Sequence, residues 1–295
     1  MGLRSQWLKS LIIGLIAFLV VILLVLFPRS TAFSWREYAN NIRTFFSNLI
    51  LHQSLGQTQY NDSANIAVLR AVAKSALIIP SALVVGFFVG MLKGMLDYGL
   101  SKLRLSFLGS GTTWLFQSVP DFLMLLLALW YIIHHGNKIR FMGDGGWPGY
   151  YVPVILTSIY PIVYVARITY AAIATQEGQL YIKTAKAKGL TSLRIFFKHI
   201  MANCIGRILT HITPLGVYII SSLVLIEYFR NVLGAARRMM IGIDFVPSMG
   251  MSGDGFEPGV IIGIAFFFML MIFAFQLISY AARRYFDPRS VQKGD

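Results

Sequence analysis

Two carboxylates lie within or at the edge of long apolar segments, where an ionisable side chain is costly. Asp121 precedes the run FLMLLLALW, and Glu227 follows the run SSLVLI. A charge at the centre of a membrane helix costs about 2.5–3.5 kcal/mol on insertion scales, so such a group is by default a candidate for function. The alternative is a structural ion pair, for which Lys74, Arg167 and Arg230 are the candidate cations. The residue types leave both interpretations open.

A second chemically distinctive stretch is YIKTAKAKGL, which combines three lysines, two alanines and a glycine between two long apolar segments. Strong helix formers continue as far as Lys188, and Gly189 interrupts them, which predicts a short helix ending in a tight turn. The run LRIFFKHIMANCIGRIL predicts a second helix after the turn. Lys183 and Lys186 are neighbours on one helical face and fit a solvated loop. Ala185 and Gly189, four residues apart, would let a partner approach closely.

Patterns for catalysis are missing from the sequence. It contains no GxxxxGK[ST] stretch for holding ATP and no arrangement typical of a Ser-His-Asp or zinc hydrolase. Its single cysteine, Cys204, excludes an intrachain disulfide and a cysteine metal cluster. We therefore expect a chain that is not an enzyme by itself and that holds no cofactor or metal.

The composition indicates that membrane helices hold these residues in place. Of the 295 residues, 56% are hydrophobic and 13% are charged, whereas soluble domains carry about 25% charged residues. The apolar residues form runs of about 20, the length of a membrane-spanning helix. The sequence predicts an all-α integral membrane protein with six spans, at about Trp7–Phe27, Asn65–Leu92, Gly111–Ile133, Tyr150–Thr175, Ile205–Tyr228 and Gly259–Tyr280.

The distribution of basic residues predicts the orientation of these spans. Six spans place both termini on one face, and that face carries 15 Lys and Arg residues outside the spans or near their ends, against 9 on the other. The positive-inside rule puts the richer face, both termini and YIKTAKAKGL in the cytoplasm. The same rule explains the net charge of +14 without nucleic acid. The first span is too long for the core of a signal peptide, so we expect it to be retained.

The run YIKTAKAKGLTSLRIFFKHIMANCIGRILT resembles the cytoplasmic EAA loop of permease subunits of ATP-binding-cassette (ABC) importers, in the dipeptide/oligopeptide/nickel group. Lys183 and Lys186 stand where that group has arginine. The positions that match the motif are Tyr181, Thr184, Ala185, Ala187, Lys188, Gly189, Leu190, His199 and Asn203.

Other stretches resemble the same group in the same order, over about residues 64–290. They are SVPDFLMLLLALW, VYVARITYAAIATQEGQLY with Arg167 at the expected place, SLVLIEYFRNVLG with Glu227 and Gly234, and YAARRYFDPRS. The chain departs from the pattern in lacking Pro-Gly-Asp-Pro after the first span and in carrying Arg207 where the group has proline.

The resemblance implies a six-helix type I importer permease fold with a cytoplasmic coupling helix, in the bacterial cytoplasmic membrane. It implies a second permease subunit that forms a heterodimer with this chain, two ATPase subunits that bind ATP and magnesium, and an extracytoplasmic protein that delivers di- or oligopeptides. Nickel or a metal chelate is the alternative substrate. From other classes, an intramembrane lipid-modifying enzyme and a membrane scaffold remain as alternatives.

The sequence thus predicts two groups of functional residues and a division of the chain. The coupling group is the stretch from Tyr181 to Leu190 within a loop at about 177–203, and the translocation-path candidates are Asp121, Arg167 and Glu227. The expected division is a first helix at 1–28, an extracytoplasmic segment at 29–64, a permease core at 65–290 and a tail at 291–295. Helical spacing predicts an amphipathic helix in the second segment, facing the membrane interface or the delivery protein, through Trp35, Tyr38, Ile42, Phe45, Phe46 and Leu49.

Overall fold

The computed structural model describes residues 3–29, 34–135, 146–244 and 255–286. The expected tail at 291–295 lies outside these ranges. Within them the regular secondary structure is helical, apart from one isolated β-bridge between Gln57 and Ser63. The α-helices are α1 (Leu3–Val25), α2 (Trp35–Leu51), α3 (Ala64–Lys102), α4 (Thr112–Ser118), α5 (Asp121–His135), α6 (Gly146–Ala174), α7 (Leu180–Ala187), α8 (Ser192–Ile195), α9 (Ala202–Leu209), α10 (Ile212–Arg230), α11 (Ala235–Gly242) and α12 (Pro258–Phe286). π-helical segments precede α4 and α9, at Phe107–Gly111 and Phe196–Met201.

Five of the described helices are long and apolar enough to cross a membrane: α1, α3, α6, α10 and α12. The third predicted span, Gly111–Ile133, is present as two helical pieces bent by 99° rather than as one helix. Expecting a single helix over Gly111–Ile133 was therefore wrong. The break falls at Val119, which is extended with φ −91° and ψ 128°, because the ring of Pro120 disfavours helical backbone at the residue before it.

The second span is much longer than its apolar pattern predicts. Helix α3 runs for 39 residues, about 58 Å at 1.5 Å per residue, whereas the hydrocarbon core of a bilayer is about 30 Å thick. Lys93 and Lys102, which the sequence assigned to a loop, are helical residues of α3. The fifth span also differs from its prediction, because α9 ends at Leu209 and the membrane-length helix α10 begins only at Ile212.

The chain folds as two compact units, and helices α3, α10 and α12 each contribute to both. The first unit is built mainly from Met1–Ile78 and Glu227–Phe273. One apolar cluster in it joins Leu26, Phe45 and Ile262. Phe45 belongs to the amphipathic pattern of α2, so at this residue the apolar side of α2 packs on its own chain rather than on membrane or a delivery protein.

The second unit is built mainly from Ile79–Phe141, Gly145–Ile226 and Ala274–Asp295. In it α3 packs closely against α6 through glycines spaced four residues apart. A Cβ at Gly90 would lie 2.6 Å from the carbonyl oxygen of Ile162, and one at Gly94 would lie 2.5 Å from that of Ala166. Small residues at this spacing let membrane helices approach closely. The same spacing extends to Gly86, where a Cβ would lie 2.5 Å from the Cβ of Pro161.

Candidate functional site

The α7 hairpin, residues 180–195, comprises α7, the turn after it and α8, and it follows the end of α6. Gly178 adopts φ +79°, which stops the preceding helical turns, and Gln179 then becomes extended. The Tyr181 hydroxyl donates a hydrogen bond to Oε1 of Gln176 at 2.8 Å. The Thr184 hydroxyl donates to the carbonyl of Leu180 at 3.0 Å. The Tyr181 bond ties the start of α7 to the segment that leads out of α6, whereas the Thr184 bond lies within α7.

The end of α7 is closed by a Schellman motif centred on Gly189. The backbone N–H of Leu190 donates to the Ala185 carbonyl at 3.2 Å, and that of Gly189 donates to the Lys186 carbonyl at 2.9 Å. Gly189 has φ +78°, in the left-handed region where glycine has no steric penalty. A Cβ on it would meet nothing within 4 Å. The turn therefore requires glycine for its backbone conformation and not for space.

The buried face of α7 corrects one expectation. Ile182 and Ala185 are buried within the chain, with Ala185 only 5% exposed. Ala185 therefore cannot be the small residue at which a partner approaches. The small exposed residue of the helix is Ala187, on the same side as Lys183 and Thr184. Lys186 and Lys188 are also exposed, whereas Tyr181 and Leu190 are half-buried.

Large apolar side chains remain exposed in and directly after this cationic hairpin. Leu180 at the start of α7 is 78% exposed and Leu193 of α8 is 72% exposed. Phe197, just beyond α8, is 62% exposed, whereas Ile200 on the same segment is buried. Exposed aromatic and aliphatic side chains beside cations are the composition of a protein-contact surface.

The base of the hairpin is held by contacts to the end of α3. The carboxylate of Glu177 forms an ion pair with Lys102 and accepts a hydrogen bond from the Tyr98 hydroxyl. The hydrogen bond from Lys102 and that from Tyr98 together hold the pKa of Glu177 below its usual value. On the exit side, the ring of Phe196 stacks on Tyr98 with centroids 6.4 Å apart. One tyrosine thus contacts both ends of the hairpin.

A further contact joins the segments flanking the hairpin. The guanidinium of Arg207, in α9, donates to the hydroxyl of Thr175 at 3.1 Å. Arg207 is the residue that stands in place of the proline expected from the importer pattern. Arginine at this position therefore supplies a tether between α9 and the end of α6, which a proline could not supply.

A buried ion pair in the second unit was missed by the sequence analysis. Nζ of Lys93 lies 2.9 and 3.1 Å from the two carboxylate oxygens of Asp97 and 2.8 Å from the Thr113 hydroxyl. The Thr113 hydroxyl donates to Oδ2 of the same carboxylate at 2.5 Å, the oxygen that lies 3.1 Å from Lys93. Asp97 is 2% exposed. The i,i+4 spacing of the two charges is the sequence signal that predicts this pair.

Of the path candidates, Arg167 lies on an accessible surface. It is exposed on α6, and its guanidinium lies 5.7 Å from the ring centroid of Tyr164, within the range of a cation–π contact. It also lines a cavity of about 390 Å³ in the second unit. The other residues that line this cavity are Asp97, Ser110, Gly111, Thr113, Trp114, Gln117 and Tyr170.

Glu227 is placed differently, in the interior of the first unit with 0% exposure. One carboxylate oxygen accepts from the Ser75 hydroxyl at 2.6 Å, and the other accepts from the backbone N–H of Arg237 at 3.1 Å. The Ser75 oxygen in turn accepts from the N–H of Ala235 at 2.8 Å. Glu227 therefore caps the first turn of α11, where a carboxylate also meets the positive end of the helix dipole.

A second buried carboxylate stabilises the same unit. Glu257 forms an ion pair with the guanidinium of Arg238 at 2.5 Å and accepts from the N–H of Gln59 at 2.9 Å. The remaining path candidate, Asp121, begins α5, but its side chain lies outside the part of the chain that the structure describes. The structure thus brings together the coupling residues and gives Arg167 and Glu227 separate surroundings in different units.

Comparison with known proteins gives a family match that includes the α7 hairpin, together with several relatives. A family model described as "Binding-protein-dependent transport system inner membrane component" matches residues 82–292. The dipeptide transport system permease protein DppB of Lactococcus lactis is 27% identical over 172 residues, which cover 58% of this chain and 54% of that protein. The oligopeptide transport system permease protein OppB of Salmonella typhimurium is 25% identical over 208 residues, which cover 67% of each.

The dipeptide transport system permease protein DppB of Bacillus subtilis is 25% identical over 213 residues, 71% of this chain and 62% of that protein. The aligned part therefore spans between about half and two thirds of the length of these relatives. The family match includes α7, its turn and the helices on both sides of them.

Proposed function

Because the chain belongs to the family of binding-protein-dependent transport system inner membrane components, we propose that it is a permease subunit of an ABC importer and forms part of the path for peptides. The substrate class follows from relatives whose names describe dipeptide and oligopeptide transport. They do not favour nickel or a chelate. A family of transport components likewise does not favour a lipid-modifying enzyme or a scaffold.

The observation that carries the coupling proposal is the construction of the α7 hairpin. A force applied to α7 can move a membrane helix only if the hairpin is rigid and anchored. The Schellman turn at Gly189 makes it compact. The contacts of Glu177 and Phe196 with α3, together with the Arg207–Thr175 bond, anchor its base. Such a hairpin would transmit the movement of a bound partner to α6 and α10.

The partner that we propose for this hairpin is an ATPase subunit, one of two in the assembly. Leu180 and Leu193 would enter apolar pockets of the ATPase, while Lys183 and Lys186 would face acidic residues at the rim. The ATPases would bind ATP and magnesium, and this chain would bind neither. Both termini would lie in the cytoplasm. A second permease subunit and an extracytoplasmic binding protein would complete the importer in a bacterial cytoplasmic membrane.

The proposal is tested on the assembly isolated from its native membrane through a tag on this chain. We expect an ATP-hydrolysing protein and a second permease to co-purify with it. Reconstituted in liposomes with the binding protein, the assembly should accumulate labelled di- or oligopeptide only when ATP is on the side of the ATPases. ATP-independent peptide movement, or ATP-driven uptake of nickel with no uptake of peptide, would refute the proposal.

A further inference from the structure

Three tyrosines form a continuous aromatic surface on two membrane-length helices of the second unit. Tyr160 and Tyr164 lie one turn apart on α6, with ring centroids 6.1 Å apart. Tyr218 of α10 packs against both, with centroids 4.6 Å from Tyr160 and 5.9 Å from Tyr164. Tyr160 and Tyr164 are half-buried, and Tyr218 is 36% exposed. We refer to these three residues as the tyrosine strip.

Polar groups continue the tyrosine strip toward the C-terminal end of α6. The Tyr164 hydroxyl lies 3.2 Å from Nδ1 of His211. One helical turn further on, the guanidinium of Arg167 lies over the Tyr164 ring. Arg167 also lines the cavity of about 390 Å³ described above. Phenol, imidazole and guanidinium groups thus follow one another along a partly exposed face.

This face is unsuited to contact with lipid. Tyr160 is the central residue of α6, about 21 Å along the axis from either end, so it is too deep to belong to an interfacial aromatic belt. Arg167 would carry a charge within the span, which is costly against lipid. By contrast, Ile155 projects from the opposite side of α6 and is 60% exposed, as expected of a residue that faces lipid.

We propose that the tyrosine strip is a wall of the translocation path and that Arg167 receives the carboxylate of the passing peptide, an inference that rests on the peptide-import function proposed above. Aromatic faces and phenolic hydroxyls can contact the backbone units of a transported peptide whatever side chains that peptide carries. A guanidinium binds a carboxylate with two parallel hydrogen bonds. Tyr160 and Arg167 are about 10 Å apart along α6, the length of roughly three extended residues.

The first test asks whether the tyrosine strip faces water. Tyr160→Cys, Tyr164→Cys and Tyr218→Cys are each made in a Cys204→Ala background, with Ile155→Cys as the matched control on the other side of α6. Membrane-impermeant methanethiosulfonate reagents are applied to the complete assembly at rest and during ATP turnover. We expect the strip variants to react at least tenfold faster than the control in one of the two states. Equal rates in both states would overturn the assignment.

The second test asks what Arg167 binds. Uptake by Arg167→Gln is measured with a peptide that has a free C-terminal carboxylate and with its C-terminal amide. Each rate is divided by the wild-type rate for the same peptide, so the contribution of the delivery protein cancels. Arg43→Gln, which removes an exposed arginine of α2, is the control for loss of positive charge.

The expected result is a tenfold or greater loss of uptake for the free carboxylate and less than a threefold loss for the amide, with the control unaffected. Equal losses for both peptides, or no loss for either, would overturn the role of Arg167. If the wild type takes up the free carboxylate but takes up the amide too slowly to measure, loss of this preference for the carboxylate in Arg167→Gln would itself support recognition of the carboxylate. If the wild type imports no peptide at all, the function proposed above fails, which is a separate outcome.

Discussion

The carboxylate of Glu227 occupies the space that a side chain at residue 234 would need. A Cβ on Gly234 would lie 2.0 Å from Oε1 and 2.5 Å from Oε2 of Glu227. The glutamate and the glycine seven residues later are therefore two parts of one structural device, in which α10 supplies a cap for α11. This relationship favours the structural interpretation of Glu227 over a place on the translocation path.

Gly234→Ala is predicted to destabilise the chain, because the added methyl group must displace a buried carboxylate that holds two hydrogen bonds. Overpacking of a buried site costs about 1–3 kcal/mol. The measurement is the midpoint of thermal unfolding in detergent, followed by size-exclusion chromatography. Gly14→Ala is the control, since a Cβ there meets nothing within 4 Å. Equal unfolding midpoints for Gly234→Ala and Gly14→Ala would contradict the prediction that the Glu227 carboxylate fills the space beside Gly234.

Glu227→Gln separates structure from transport at the same residue. An amide can accept from only one of the two donors, Ser75 and the Arg237 N–H, so one of them loses its acceptor at a cost of about 1–3 kcal/mol. We predict a lower folded yield and normal transport per folded assembly. Normal yield with reduced transport would instead place Glu227 in the path.

The pair of Lys93 and Asp97 is predicted to act as a unit. Asp97→Ala leaves the ammonium group of Lys93 without its carboxylate in a largely buried site, which is more damaging than losing both charges. Thermal midpoints of Asp97→Ala, Lys93→Met and the double variant give the coupling between them. We expect the double variant to be more stable than Asp97→Ala. Additive effects of the two substitutions would mean that the pair contributes nothing of its own.

Acid is predicted to loosen the base of the α7 hairpin through Glu177. Its folded pKa lies below the ordinary value of 4.5, so its contribution is complete above pH 4.5 and declines as the pH falls through the lower folded value. Hydrogen-exchange protection of α7, corrected for intrinsic rates, should decrease over this acidic window in the wild type. Glu177→Gln should show weaker protection that does not change there. The same pH dependence in both proteins would exclude Glu177 as its source.

The orientation of the spans is open to direct labelling. With Cys204 replaced by alanine, Tyr60→Cys should react with an impermeant thiol reagent added to sealed cells, because the segment before α3 is expected outside. Ser192→Cys should react only after the cells are opened. Both wild-type side chains are exposed, so accessibility does not confound the comparison. The reverse pattern would invert the predicted topology.

Several features of this chain were predictable from local chemistry. The importer family and the all-helical membrane class are confirmed by the match over residues 82–292 and by the membrane-length helices. A glycine after strong helix formers predicted a tight turn at Gly189, because the preference is intrinsic to the backbone, and the structure shows that the turn is left-handed. The break before Pro120 and the close packing at Gly90 and Gly94 also had local signals that the sequence analysis did not use.

Other features depend on packing that no single stretch encodes. Ala185 and Ala187 are equivalent as residue types, and only the position of α7 on its neighbours decides that the first is buried. The apolar pattern ends before Lys93, yet α3 continues because Asp97 and Thr113 satisfy that cation within the protein. Glu227 could not be assigned from depth alone, since its partners Ser75 and Gly234 lie in different segments.

Peptide uptake by paired Gly189 variants is the most direct test of the claim that this chain is an importer permease driven through the α7 hairpin. Asparagine tolerates the left-handed backbone of Gly189, whereas valine should be strained there by about 1–3 kcal/mol. Uptake and ATPase retention are measured on the same reconstituted assemblies. We predict near wild-type uptake for Gly189→Asn, and for Gly189→Val a loss of uptake with either release of the ATPase or hydrolysis uncoupled from transport. Wild-type uptake by Gly189→Val would show that the hairpin does not drive transport.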